Sequence, residues 1–220
     1  LNSPNNPCGS VIPKDELEQI ARIACEANAI VLSDEIYKDF HYEGDHNSIS
    51  QFDGMKERTI ILDGFSKSYA MTGWRLGYGV LPDPLVEPVS RLMTNSVSCT
   101  ASFSQIAAMS ALDGDQSSVT KMVAEFAERR DLIVSGLNSI NGISCVSPKG
   151  AFYAFPNIYE TGLTSEVFAN LALEKMGVAL LAGTSFGGFG EGFVRLSFAN
   201  SQENIRRALE RIEDLVIFAK

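Results

Sequence analysis

Short apolar, β-branched runs that end on polar clusters constrain this chain most. Ala29-Ile-Val-Leu32 runs into Ser33-Asp-Glu-Ile-Tyr37, and Thr59-Ile-Ile-Leu62 runs into Asp63-Gly-Phe-Ser-Lys67. A third run, Leu76-Gly-Tyr-Gly-Val-Leu81, follows. Ahead of them, residues 13–27 set Leu17, Ile20, Ala21 and Ala24 on one face at helical spacing, with Pro13 and acidic residues as a start signal. Helix, strand, loop and strand in this order predict an α/β fold around a mostly parallel sheet. Open sheets of that kind bind ligands at their strand ends. Asp34, Tyr37 and Lys67 are therefore expected at one sheet edge.

Ser66 and Ser68 flank Lys67 with hydroxyls, and Arg75 follows a Thr72-Gly73 turn that can bring the chain back. A cation and hydroxyls around one amine suit an anionic ligand. A lysine that is partly desolvated beside a second cation holds its proton less tightly, which is how an amine becomes a nucleophile for a carbonyl. Taken alone, a lysine near a strand end is most often a solvated loop residue. The string Ser66-Lys-Ser-Tyr-Ala-Met-Thr-Gly-Trp-Arg-Leu-Gly-Tyr78, however, closely resembles the cofactor-lysine segment of the class I/II aminotransferases, the aspartate/aromatic aminotransferase-like group of fold-type I pyridoxal-phosphate (PLP) enzymes. The resemblance implies that Lys67 forms the Schiff base with pyridoxal 5'-phosphate, and that Ser66 and Arg75 hold its phosphate.

Further segments resemble the same family. Asn6-Pro-Cys-Gly9 is similar to its N-P-[TS]-G loop, which implies that Asn6 meets the cofactor's ring oxygen. A cis Asn6–Pro7 bond is expected there, and Cys8 stands where a hydroxyl residue is usual. Asp34-Glu-Ile-Tyr37 resembles the D-E-x-Y motif, which implies that Asp34 pairs with the pyridine nitrogen and that Tyr37 contacts the ring oxygen. Pyridine is a weak base, and an adjacent buried carboxylate keeps it protonated, so the ring can accept electrons from the substrate Cα. Phe193-Val-Arg-Leu-Ser-Phe198 alternates like a strand and resembles the family's terminal segment, which implies that Arg195 grips the substrate carboxylate through its planar fork.

Past Pro84 the pattern turns helical. Helices are expected over residues 85–93, 105–112 and 116–137, with a polar loop over 95–104. A small α+β domain is expected to follow. Its strands are expected over residues 143–146, 150–155, 178–181 and 193–198, its helices over 164–176 and 202–218, and a glycine-rich lid or turn over 183–190. The division is placed at 1–114, the C-terminal part of a PLP-binding large domain, and 115–220, a small C-terminal domain.

A net charge of −9 argues against nucleic acid or an anionic membrane as a partner. Cys8, Cys25, Cys99 and Cys145 are scattered, with no metal-ligand spacing, and read as reduced thiols of a cytoplasmic protein. His41 and His46 fall in a polar loop and carry no assigned role. The loop at residues 2–9 opens the chain almost at once, whereas it lies mid-chain in the resembled family, so the chain is expected to be an incomplete, C-terminal part of a longer enzyme. The resemblance implies an aminotransferase acting on an amino acid and a 2-oxo acid, homodimeric in its full-length form. A PLP-dependent lyase, decarboxylase or synthase of the same fold needs the same Lys67, Asp34 and Arg75. An aminotransferase-like sensor domain of a regulator is the reading from another class.

Overall fold

The computed structural model describes residues 1–219. The chain forms two compact units, Leu1–Pro4 with Val11–Lys121, and Asn5–Ser10 with Met122–Lys220. The division between Lys121 and Met122 falls inside a helix, α4 (Ser117–Ser139).

In the first unit, α1 (Lys14–Glu26) buries Leu17, Ala21 and Ala24. These pack with Ile49 and Met55 into one hydrophobic cluster. Asp15 and Glu16 in its first turn oppose the positive end of the helix dipole. The sheet has the order β1 (Val31–Asp34), β2 (Thr59–Gly64), β3 (Gly77–Val80). The expected parallel pairing holds between β1 and β2, and Asn2 adds a parallel bridge to Asp34. β3 runs antiparallel to β2, as an edge strand on an otherwise parallel sheet often does.

α2 (Asp83–Val97) and α3 (Ser102–Asp113) follow, and the loop expected over 95–104 shrinks to residues 98–101. The reason lies in the side chains of Thr94, Asn95 and Ser96. Each turns back onto the carbonyl four residues earlier, on Ser90, Arg91 and Leu92, so polar residues are carried inside the helix. An apolar hollow of about 1590 Å³ lies in this unit, with Leu32, Leu62, Trp74, Val86, Met93 and Phe103 in its lining.

The second unit packs most of α4, α5 (Ser165–Glu174) and α6 (Gln202–Phe218) with an antiparallel sheet of β4 (Tyr153–Ala154), β6 (Val194–Ser197) and β5 (Leu181–Ala182), in that order. Its core holds Phe168, Phe198, Leu137, Ile158, Ile212 and Leu215, all essentially inaccessible. Thr164 caps α5 by accepting from the Val167 N–H, and Ser201 caps α6 by accepting from the Asn204 N–H.

The strands here are shorter than expected. Residues 143–146 make only one bridge, Ser144 to Asn157, because the Asn138 amide takes both backbone groups of Cys145. The strand expected over 178–181 begins only at Leu181. Gly177 adopts φ +64° and the Val178 N–H donates to the Ala172 carbonyl at 2.8 Å, so these residues finish the α5 C-terminus.

The glycine-rich segment 183–190 folds into two consecutive 3-10 turns, Gly183–Phe186 and Gly188–Gly190. Gly183 and Gly190 lie backbone to backbone. A Cβ on Gly190 would sit 2.0 Å from the Gly183 oxygen, so no side chain fits at that crossing.

Candidate active site

Asp34 is the last residue of β1, and its backbone is held on the other side by the first residues of the chain. Its N–H donates to the Leu1 carbonyl at 3.0 Å, and its carbonyl accepts from the Asn2 amide at 3.3 Å. The Asp34 carboxylate accepts the Ile36 N–H at 3.2 Å, which bends the chain and brings Tyr37 to a buried position.

β2 delivers Lys67 in the same direction, because β1 and β2 are parallel, with Asp34 opposite Leu62. Beyond the strand the chain folds into a tight loop. The Ala70 N–H donates to the Lys67 carbonyl and the Met71 N–H to the Phe65 carbonyl, each at 3.1 Å. Ala70 takes a left-handed φ of 52° to make the reversal. The Lys67 ammonium ends 5.8 Å from the centroid of the Tyr37 ring. Ser66 and Lys67 are half-buried, whereas Ser68 is buried and its hydroxyl has no partner among the described residues.

Arg75 caps the short 3-10 turn Thr72–Trp74 with left-handed φ 53° and ψ 51°. Its Nη1 donates to the Thr72 carbonyl at 2.9 Å, and the residue is exposed.

In the second unit, Asn6 and Arg195 meet directly. The Asn6–Pro7 bond is cis, as expected, and so is Ser3–Pro4, for which the sequence carried no expectation. The Nη1 of Arg195 donates to Asn6 Oδ1 at 2.9 Å. The guanidinium lies 4.5 Å from the Tyr153 ring centroid and 5.0 Å from that of Phe186. Its Nε has no partner among the described residues. Two aromatic rings within cation–π range confine the guanidinium while part of its fork stays available.

Sequence reasoning missed two charged clusters within the first unit. Glu35 is buried and accepts from Ser33 at 3.0 Å and Ser48 at 2.7 Å, with His46 Nε2 at 2.9 Å. Burial pushes the Glu35 carboxyl up, but its bonds to His46, Ser48 and Ser33 outweigh that and leave it below the ordinary value. His46 thus takes part in the first cluster. His41, 5.8 Å from it ring to ring, is pushed below the ordinary histidine value chiefly by burial.

The second cluster centres on Asp63, buried at the end of β2. It accepts from Lys38 and from the Tyr78 hydroxyl, the latter at 2.6 Å. The signal available beforehand was an acidic residue at the end of an apolar strand, four positions before the lysine.

The chain matches the family described as Aminotransferase class I and II over residues 1–212, and it belongs to that family. Among curated relatives it is 44% identical over 219 residues to aromatic-amino-acid aminotransferase 2 of Thermococcus litoralis. It is 45% identical over 219 residues to an aspartate aminotransferase of Pyrococcus abyssi. In each case the match covers 98% of this chain and 56% of the relative, so the chain spans about half the length of the relatives it matches. The fold agrees with solved structures of the family. An aromatic aminotransferase from Pyrococcus horikoshii superposes with a TM-score of 0.95 at 44% identity, covering 99% of this chain and 59% of that one. A Thermus thermophilus aspartate aminotransferase with maleate gives 0.89 at 37% identity, covering 98% and 56%.

Proposed function

We propose that this chain is the C-terminal part of a PLP-dependent aminotransferase that moves an amino group between an amino acid and a 2-oxo acid, with Lys67 as the residue that binds the cofactor covalently. One observation carries the reading: the Lys67 amine lies 5.8 Å from the Tyr37 ring, and Asp34 ends the neighbouring parallel strand. Amine, phenol, hydroxyl and guanidinium as donors, with a carboxylate as acceptor, are the groups that a phosphorylated hydroxypyridine aldehyde requires, so the residues present fit this group. When bound, pyridoxal phosphate supplies an electron sink for the electrons of the substrate's Cα–H bond.

The protein's part is to bind, orient and move protons. Asp34 would hold a proton on the ring nitrogen by placing a carboxylate against it. Tyr37 and Asn6 would donate to the ring oxygen. Ser66 and Arg75 would hold the phosphate, Arg75 through charge-assisted bonds. The Lys67 amine, once released by the incoming amino acid, would take the Cα proton and return it. Arg195 would orient the substrate by its α-carboxylate.

We further propose that residues 1–114 belong to the cofactor-binding large domain and 115–220 to the small domain, and that the enzyme is a cytoplasmic homodimer. The free thiols of Cys8, Cys25, Cys99 and Cys145 support the first of those two attributes. The exposed Leu92, Val97, Phe103 and Ile106 support the second.

The test is borohydride reduction of the full-length protein loaded with pyridoxal phosphate, followed by peptide mass analysis. Label on Lys67, absent from Lys67→Ala, is the expected result. Label on another lysine, or none, refutes the assignment.

A further inference from the structure

Asp63 makes more bonds than a strand residue needs. Its side chain is only 3% exposed, and both carboxylate oxygens are engaged. Oδ1 accepts the Gly64 N–H at 2.7 Å. Oδ2 accepts from the Lys38 ammonium and, at 2.6 Å, from the Tyr78 hydroxyl. The partners lie on separate segments. Lys38 adjoins Tyr37 in the turn that follows Asp34, and Tyr78 lies on β3, just beyond Arg75. Asp63 itself ends the strand that leads into Ser66 and Lys67. One buried carboxylate therefore ties together the three segments that carry Asp34 with Tyr37, Ser66 with Lys67, and Arg75.

Charge holds this junction closed. Burial works against the Lys38 ammonium, but its bond to Asp63 outweighs that and raises its pKa, helped by Asp39 at 3.5 Å. Burial and the bond to Asp63 push the Tyr78 hydroxyl up to about 12, so it stays a donor. Tyr69 also faces this group of charges. A buried ion pair adds little stability compared with apolar residues of the same shape, and its best-attested use is to specify geometry.

We propose that Asp63 is a positioning residue: through Lys38 and Tyr78 it sets the spacing between the Asp34–Tyr37 turn and the Lys67 loop. This rests on the reading of Lys67 as the cofactor lysine. The spacing it sets is the 5.8 Å between the Lys67 ammonium and the Tyr37 ring. Releasing either partner removes a side-chain tie and leaves the turn held to β2 by backbone bonds such as Glu35 N–H to the Leu62 carbonyl at 2.9 Å. A shift of about 1 Å in reacting groups costs up to about a hundredfold in rate.

The test uses the full-length protein with pyridoxal phosphate, comparing wild type, Asp63→Asn, Lys38→Met, Lys38→Arg and the Asp63→Asn/Lys38→Met double variant. Five quantities are measured: kcat and KM separately, the pH titration of the Lys67-bound cofactor's absorbance, the amount of cofactor fixed by borohydride, and the melting temperature without cofactor.

Asp63→Asn and Lys38→Met are expected to lower kcat about ten- to a hundredfold with KM little changed, and to shift the absorbance titration while cofactor is still fixed at Lys67. The double variant should be no worse than either single one, and Lys38→Arg should retain most of the wild-type rate. A fall in melting temperature alone, with kcat and the titration unchanged, overturns the inference. Should Asp63→Asn fail to fold, Lys38→Met, whose side chain is 32% exposed, decides the matter by the same readouts. Wild-type protein that fixes no cofactor at Lys67 overturns the functional reading and the inference with it; cofactor fixed normally with no change in the variants overturns the inference alone.

Discussion

Replacing Ser165 with alanine should loosen the glycine-rich segment that carries Phe186. Ser165 is completely buried at the start of α5. Its hydroxyl accepts the Gly192 N–H at 2.8 Å and donates to the Gly190 carbonyl at 3.3 Å. The two bonds do not matter equally. The Gly190 carbonyl also accepts from the Phe193 N–H at 3.1 Å, so it keeps a partner in the variant. Gly192 is buried, and its N–H has no such second partner among the described residues. An orphaned buried donor costs about 1–3 kcal/mol.

The start of α5 should survive, because Thr164 still accepts the Val167 N–H at 3.3 Å and the Ser165 N–H still reaches Glu191 at 2.9 Å. The loss should therefore concentrate at residues 183–192. Hydrogen exchange of the full-length protein is the direct assay, and at about 1.4 kcal/mol per decade the Gly192 amide should exchange roughly 5- to 150-fold faster. An unchanged Gly192 amide, or a loss of protection spread evenly over the second unit, would refute the reasoning.

Gly190→Ala should be more damaging than Ser165→Ala, since the new Cβ would lie 2.0 Å from the Gly183 oxygen and neither backbone can yield without opening the turn; thermal melts of the two variants compare them directly. A further expectation concerns alkaline pH. Burial raises the Cys145 thiol from 9.0 to about 11, and burial with the Asp63 bond raises Tyr78 from 10.0 to about 12. Because folding favours the neutral forms, their contributions are complete below pH 9 and pH 10 and disappear as pH passes through about 11 and 12 respectively. Urea midpoints measured from pH 8 upward should fall in this window, with Cys145→Ala removing the lower part of the fall and Tyr78→Phe the upper part.

Much of the arrangement around Lys67 was legible because it follows from period and position. β1 and β2 announce themselves as β-branched runs, and parallel strands bring their C-terminal residues to one edge, so Asp34 and Lys67 could be placed together from spacing alone. Alternation set Arg195 on the face opposite the buried Val194 and Leu196, and only the resemblance of its segment made it a candidate. What stayed hidden depends on side chains that capture backbone groups. Asn138 consumes the hydrogen bonds that residues 143–146 would need for a strand, and Thr94, Asn95 and Ser96 extend a helix through what reads as a loop. The Asp63 and Glu35 clusters stayed hidden for another reason. Their members come from segments separated in sequence and are brought together only by the register of the strands and the closure of a loop, neither of which has a period to detect.

The pairing of Asp63 with Tyr78 also bears on how faithfully this sheet assembles. Tyr78 lies between Gly77 and Gly79 on β3, and the observed alignment sets it directly opposite Asp63. Sliding β3 by one residue in either direction would bring a glycine opposite the buried carboxylate, and sliding it by two would bring Leu76 or Val80. None of these can donate a side-chain hydrogen bond, so each misaligned hairpin would hold a desolvated charge short of one donor. Slipped pairings are otherwise poorly discriminated in glycine-rich strands, where few side chains report which face is which. A single phenol flanked by glycines therefore penalises every neighbouring alignment at once, and the error is detected at the strand end from which the Lys67 loop departs.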